Sequence, residues 1–202
     1  MVNLHSTKIK VALATISTLG LVMVPVFAEA LTTSTTVSSQ VGAIISLLSS
    51  SGTVNINTTP TAGGVQTIAS DTVTVSTNDA AGYTLKLGET AAASALTSGG
   101  NTIPAVTGTQ AAPVVQTANT WGYRVDSVGG FGAGPTSGAT NAAISGTIKF
   151  APVPATASPD TLKATATTAS NDTTTVWYGV SVNTATPSGT YTNSVTYTAI
   201  AN

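Results

Sequence analysis

Hydrophobic and polar residues alternate with a period of two along most of this chain. Residues 53–57, 71–77, 83–87, 121–125, 144–150, 176–182 and 191–200 each put Val, Ile, Leu or an aromatic mainly on one face of an extended chain and Thr, Ser, Asn or Lys mainly on the other. Side chains on a strand point alternately to opposite faces, so the pattern predicts seven half-buried β-strands. Gly, Pro and Asn punctuate the gaps, as they do between the short strands of a sandwich or barrel. The expected fold class is therefore all-β, an antiparallel immunoglobulin-like β-sandwich.

Three stretches depart from that rhythm. Residues 41–48 form a strongly apolar run, which periodicity alone leaves as a buried strand or a short helix. The connections 88–120 and 127–143 are too long to stay structureless inside a compact domain, so weaker strands are expected within them, for example around 111–116. Residues 73–84 and 180–192 share the scheme Val-x-Val, a polar turn with Gly82 or Gly189, then Tyr and Thr. Both are read as antiparallel hairpins.

The N-terminus follows another logic. Lys8 and Lys10 precede an apolar run over 11–24, then Pro25 and the small-residue sequence Val26-Phe27-Ala28. That is the layout of a secretory signal peptide, with cleavage after Ala28 or, as second choice, Ala30. An uncleaved anchor is the alternative, although the run is short for a hydrocarbon core of about 30 Å. The expected organisation is a signal peptide over 1–28, a Ser/Thr-rich leader over 29–40 and a sandwich domain over 41–202, with no membrane span in the mature chain.

Composition narrows the function. Only 6% of the residues are charged, against roughly 25% in ordinary domains. The polar surface must then be hydroxyl and amide, which suits exported coats, fibres and adhesins and offers little charge repulsion against self-association. Without its first 28 residues the chain keeps four cations (Lys86, Arg124, Lys149, Lys163) against seven anions. It cannot neutralise a phosphate backbone, so nucleic acid is excluded as a partner. There is no cysteine, so stability must come from the core, from β pairing or from neighbours.

Catalytic chemistry finds few groups. The sole histidine, His5, lies in the expected signal peptide, which removes the usual general base and zinc ligand from the mature chain. A carboxylate pair, as in glycoside hydrolysis, remains conceivable among Asp71, Asp79, Glu89, Asp126, Asp160 and Asp172. Most of these stand in turn-like contexts (Asn78-Asp79, Pro159-Asp160, Asn171-Asp172) and read as turn formers. No catalytic residue, cofactor or metal site is expected; calcium through Asp79 or Asp172 is the weak exception. Asn57 and Asn171 head glycosylation-type triplets.

Two sets of residues are candidates for binding. Trp121, Tyr123 and Trp177 could stack on sugar rings if exposed, or fill the core if not. Tyr191, Val195, Tyr197 and Ile200 mark a C-terminal strand whose alternation runs almost to residue 202, and which either completes its own sheet or pairs with a neighbour.

The C-terminal sequence Val-Ser-Val-Asn-x-x-x-Pro-Ser-Gly-Thr-Tyr-Thr-Asn-Ser-Val-Thr-Tyr-Thr-Ala, starting at Val180, resembles the terminal hairpin of bacterial surface β-sandwich families: WxL-like wall-binding proteins and spore-coat-U or pilin-like subunits. With Thr-Val-Thr-Val-Ser-Thr-Asn and Gly-Tyr-Thr-Leu-x-Leu it is also similar to exported proteins of candidate-phylum bacteria. The likeness covers about a quarter of the chain. The Trp-x-Leu motif is absent, Trp121-Gly-Tyr and Trp177-Tyr-Gly standing instead, so wall binding does not carry over. The resemblance implies a secreted, non-enzymatic cell-surface structural or adhesive protein that associates with itself, with other surface proteins or with glycans. The alternative is a carbohydrate-binding or cell-wall-binding module.

Overall fold

The computed structural model describes residues 33–90 and 95–202. The expected signal peptide and its cleavage point lie outside them. The chain divides into two units between Gln40 and Val41. Residues 33–40 are exposed and carry no regular structure; the remainder of the description concerns Val41–Asn202.

Twelve strands follow one another among the described residues, with no helix: β1 Ile45–Ser49, β2 Val65–Thr77, β3 Tyr83–Glu89, β4 Leu96–Ser98, β5 Asn101–Ile103, β6 Val114–Val115, β7 Thr120–Arg124, β8 Ala139–Ala142, β9 Lys149–Phe150, β10 Asp160–Ala164, β11 Ala169–Val182 and β12 Val195–Ala201. The larger sheet has the order β1-β2-β11-β7, and β8 extends the β1 edge of β2. The second sheet is β10-β3-β12. All pairs between named strands are antiparallel.

The spine is β2 on β11, strands of 13 and 14 residues where about 5–6 is usual. They pair from Val65 opposite Val182 to Val75 opposite Asp172. Their inward positions, with those of β3 and β7, form one core: Val73, Val75, Tyr83, Leu85, Leu87, Tyr123 and Val176 are all buried. Each such side chain contributes about 1.5–3 kcal/mol by leaving water. Their β-branched and aromatic character suits a pleated, half-buried surface.

The outer face of the large sheet is covered too. Ile68, Val106 and Phe150 make a second apolar cluster, joined by the half-buried Trp177. Gly179 on β11 makes room for this layer, since a Cβ there would stand 2.6 Å from the Phe150 ring and 2.7 Å from Gln116 Oε1. Two buried amides pin the layer down. Gln66 Nε2 donates to Gln116 Oε1 at 2.5 Å, and Gln116 Nε2 donates to the Gly179 carbonyl at 2.8 Å.

Several expectations need correction. Residues 53–57 form no strand, although Val54 and Ile56 pack on the core from an irregular segment. Of 144–150, only Lys149–Phe150 is strand. The run 41–48 is neither helix nor buried: it supplies β1, in which Ile45, Leu47 and Leu48 are exposed. The two long connections do contain strands, β4 to β6 in one and β8 in the other.

The paired segments around Gly82 and Gly189 are not hairpins. β2 and β11 lie in one sheet while β3 and β12 lie in the other, so each segment is an arch that carries the chain across the core. The arches are mutually related, because β2 pairs with β11 and β3 pairs with β12. Period-two alternation sets which face is buried, and an arch satisfies it as well as a hairpin does.

Candidate functional site

The C-terminal strand is built from alternating contacts. β12 pairs residue by residue with β3, from Val195 opposite Glu89 to Ala201 opposite Tyr83, without a register shift. Its inward residues Val195 and Tyr197 pack on the core, while Ile200 points out and is 49% exposed. Tyr191 precedes the strand and donates its hydroxyl to the Pro187 carbonyl at 2.8 Å. One edge of β12 thus completes its own sheet. Among the described residues no strand pairs with the other edge.

β1 lies beside β12 in the opposite sheet. It pairs with the second half of β2 in unbroken register, Ile45 opposite Thr77 to Ser49 opposite Val73. Its two ends are pinned by polar contacts. Asn78 holds the start, accepting from Ile44 N–H at 2.7 Å and donating to the Gly42 carbonyl at 2.9 Å. At the other end Ser49 and Ser50 donate to the buried Asp71 carboxylate at 2.6 and 2.7 Å. The outer edge of β1, too, has no strand partner among the described residues. Ile44 and Leu48 are 70% and 68% exposed, unusual for a strand whose apolar residues should seek a core.

The two sheets are joined across the core by tyrosine hydroxyls. Tyr83 on β3 donates to Asp172 on β11 at 2.9 Å, and Tyr123 on β7 donates to Asp160 on β10 at 2.6 Å. The hydroxyls of Tyr178 and Tyr197 meet at 2.8 Å beside Asp71. Burial, with the neighbouring carboxylates, pushes the Tyr83 and Tyr123 phenols well above their ordinary range, and burial foremost does so for Tyr178 and Tyr197. They stay protonated donors at any physiological pH.

The carboxylates are correspondingly occupied. Burial pulls Asp126 upward, but hydrogen bonds from Thr136 and Arg124 outweigh it and hold the group below its usual value. Asp172 behaves alike, with Lys163 and Tyr83 as the donors. Glu89 goes the other way: burial raises it and the Asn193 amide only partly offsets the rise. Asp79 accepts from Ala81 N–H, the turn role expected of it. Asp160 and Asp172 instead sit in strands and serve the tyrosine bridges, which corrects the reading of both as turn formers. Asp79 and Asp172, considered for calcium, spend oxygens on these internal donors. No group of three or more potential metal-ligating side chains occurs among the described residues.

Trp121 and Tyr123 lie in the core and have no outer ring face to offer a sugar. Trp177 points to the opposite side of β11 from Tyr178 and lines a groove of about 460 Å³ with Asp126, Lys163, Thr173 and Thr175. The sequence reading missed the exposed apolar edge at β1. Its signal was present: between Glu29 and Asp71, and again beyond Asp172, the chain contains no Asp, Glu, Lys or Arg.

Comparison with protein-family models, curated proteins and solved structures gave no match. No helix among the described residues is long and apolar enough to cross a membrane.

Proposed function

We propose that this chain is a secreted, non-enzymatic structural or adhesive subunit of a bacterial cell surface, built on an immunoglobulin-like sandwich and acting through its β-edges and hydroxyl-rich faces. The observation that carries the reading is the apolar outer face at β1, where Leu48 and the preceding Ile44 are largely exposed beside a strand edge that is unpaired among the described residues. Natural sandwiches blunt such edges with charges, prolines or bulges when the molecule is meant to stay alone. Two further features support it: surface polarity comes from Ser, Thr and Asn rather than from charge, and all six candidate carboxylates are already engaged by internal donors or by burial.

Electron microscopy of the purified protein, with immunogold labelling of the cells that make it, tests the proposal. Ordered particles, sheets or fibres and a peripheral label are expected. Dispersed monomers with a purely intracellular label overturn it.

A further inference from the structure

We propose that the side of the sandwich formed by β1 and β12 is a two-fold interface, on which a second copy of this chain docks with the same two strands. The inference deepens the assembly reading and rests on it, since it names the partner and the geometry.

The two sides of the sandwich differ in kind. On one side lie β7 and the first half of β11, with β10 from the other sheet. That side carries Arg124, Asp126, Asp160, Lys163 and Asp172. It also carries two irregularities: the pairing of β10 shifts between Thr161 and Lys163, and that of β11 between Ala169 and Asp172, with Asn171 at a φ of 51°. Charges and bulges are the devices that stop a strand from adding another. On the opposite side β1 and β12 run in unbroken register with their inner neighbours. They lie wholly within the two charge-free stretches of the chain, and the apolar residues Ile44, Leu48 and Ile200 are exposed. The β1 edge of β2 also carries β8, whose pairing shifts between Gln66 and Ile68, but β1 and β12 themselves run without a shift and have no partner on their outer edges among the described residues.

The occupant follows from what it must supply. A partner that satisfies both open edges needs two strand edges, held at the spacing of two packed sheets, with apolar and hydroxyl side chains and no ionised group. The same side of a second copy meets each requirement after a half-turn. A two-fold axis perpendicular to the sheets sets β1 antiparallel to β1 and β12 antiparallel to β12, so both sheets continue across the contact. A head-to-tail polymer would have to use the charged, bulged side as its other half. The contact is therefore self-complementary and closes at two copies, and any larger array is assembled from dimers through other faces.

The test uses the full chain, purified as its host exports it. Sedimentation equilibrium is expected to give a dimer. Leu48→Lys should raise the dimer dissociation constant more than about tenfold, because an ammonium would be buried without a partner. Leu48 is exposed in the single copy, so the variant keeps its fold, as circular dichroism will verify. Thr161→Lys on β10 should leave the dimer unchanged. Because the protein has no cysteine, Ser46→Cys, Leu47→Cys and Leu48→Cys, made singly and oxidised, should cross-link at one position or more at least about tenfold faster than Thr161→Cys on β10, as a pre-formed β1 contact requires. Three results overturn the proposal: a wild type that is monomeric at every concentration, a dimer indifferent to Leu48→Lys, or a ladder of Ser46–Thr161 cross-linked chains from the double variant Ser46→Cys/Thr161→Cys. The ladder would leave the assembly reading standing with a different geometry. A monomer that still labels the cell periphery would keep the surface role and remove self-association.

Discussion

Tyr83, Tyr123, Tyr178 and Tyr197 do with single hydroxyls what disulfides do in many exported domains: each ties a strand of one sheet to a strand of the other. The ties to carboxylates are charge-assisted, worth about 1.5–3 kcal/mol each. Asp126 and Asp172, held low in the fold, contribute stability that is present above the unfolded value near 3.9 and is lost as pH falls through their folded values. Glu89 has the opposite sign. Its carboxyl is raised in the fold, so its contribution is most favourable below the unfolded value of about 4.3 and falls away as pH rises through the folded one. Glu89→Gln keeps an acceptor for Asn193 and removes the buried charge. The urea midpoint of the variant is expected to exceed that of the wild type at neutral pH, with the gap shrinking toward about pH 4. A gap that stays constant with pH would show that the Glu89 charge is not the cause.

At the scale of elements, the two arches differ in how firmly their glycines are required. Gly82 has a φ of 85°, and a Cβ there would collide with the Thr165 backbone. At Gly189 the nearest obstacle is the movable Ser98 hydroxyl, and the backbone is not left-handed. Gly82→Ala should therefore destabilise the domain by about 1 kcal/mol or more, and Gly189→Ala by clearly less. Thermal unfolding of the two variants measures the difference, and equal losses would contradict it. The same arches mark the limit of what alternation reveals. It located residues 71–77, 83–87, 176–182 and, of 121–125, all but Val125 in strands because burial on one face is a local property of the chain. It did not say that β2 pairs with β11 rather than β3, since partner choice depends on contacts far apart in sequence. Residues 41–48 were misplaced for a related reason: apolar character signals a surface removed from water, and here β1 remains exposed in the single copy. The candidate site was legible in part. Ile200 and the open C-terminal strand were visible in the sequence, whereas the adjacency of β1 and β12 is a product of the fold.

At the scale of the whole molecule, β1 and β12 themselves contain no charged residue, and this bears on how the proposed dimer responds to solution conditions. Contacts between ionised groups weaken as salt rises, because the screening length shrinks from about 30 Å at 0.01 M to about 3 Å at 1 M. β1 and β12 have no such groups. The dimer dissociation constant is expected to change less than about threefold across that range of sodium chloride, and a steep rise with salt would place charged residues in the contact. That β1 and β12 are built without charged residues has a further consequence, in heat rather than in salt. Association that rests on apolar surface has an enthalpy near zero at room temperature and a negative heat-capacity change, so it strengthens on moderate warming and weakens on cooling. A surface layer assembled from such dimers would tolerate brine and loosen in the cold.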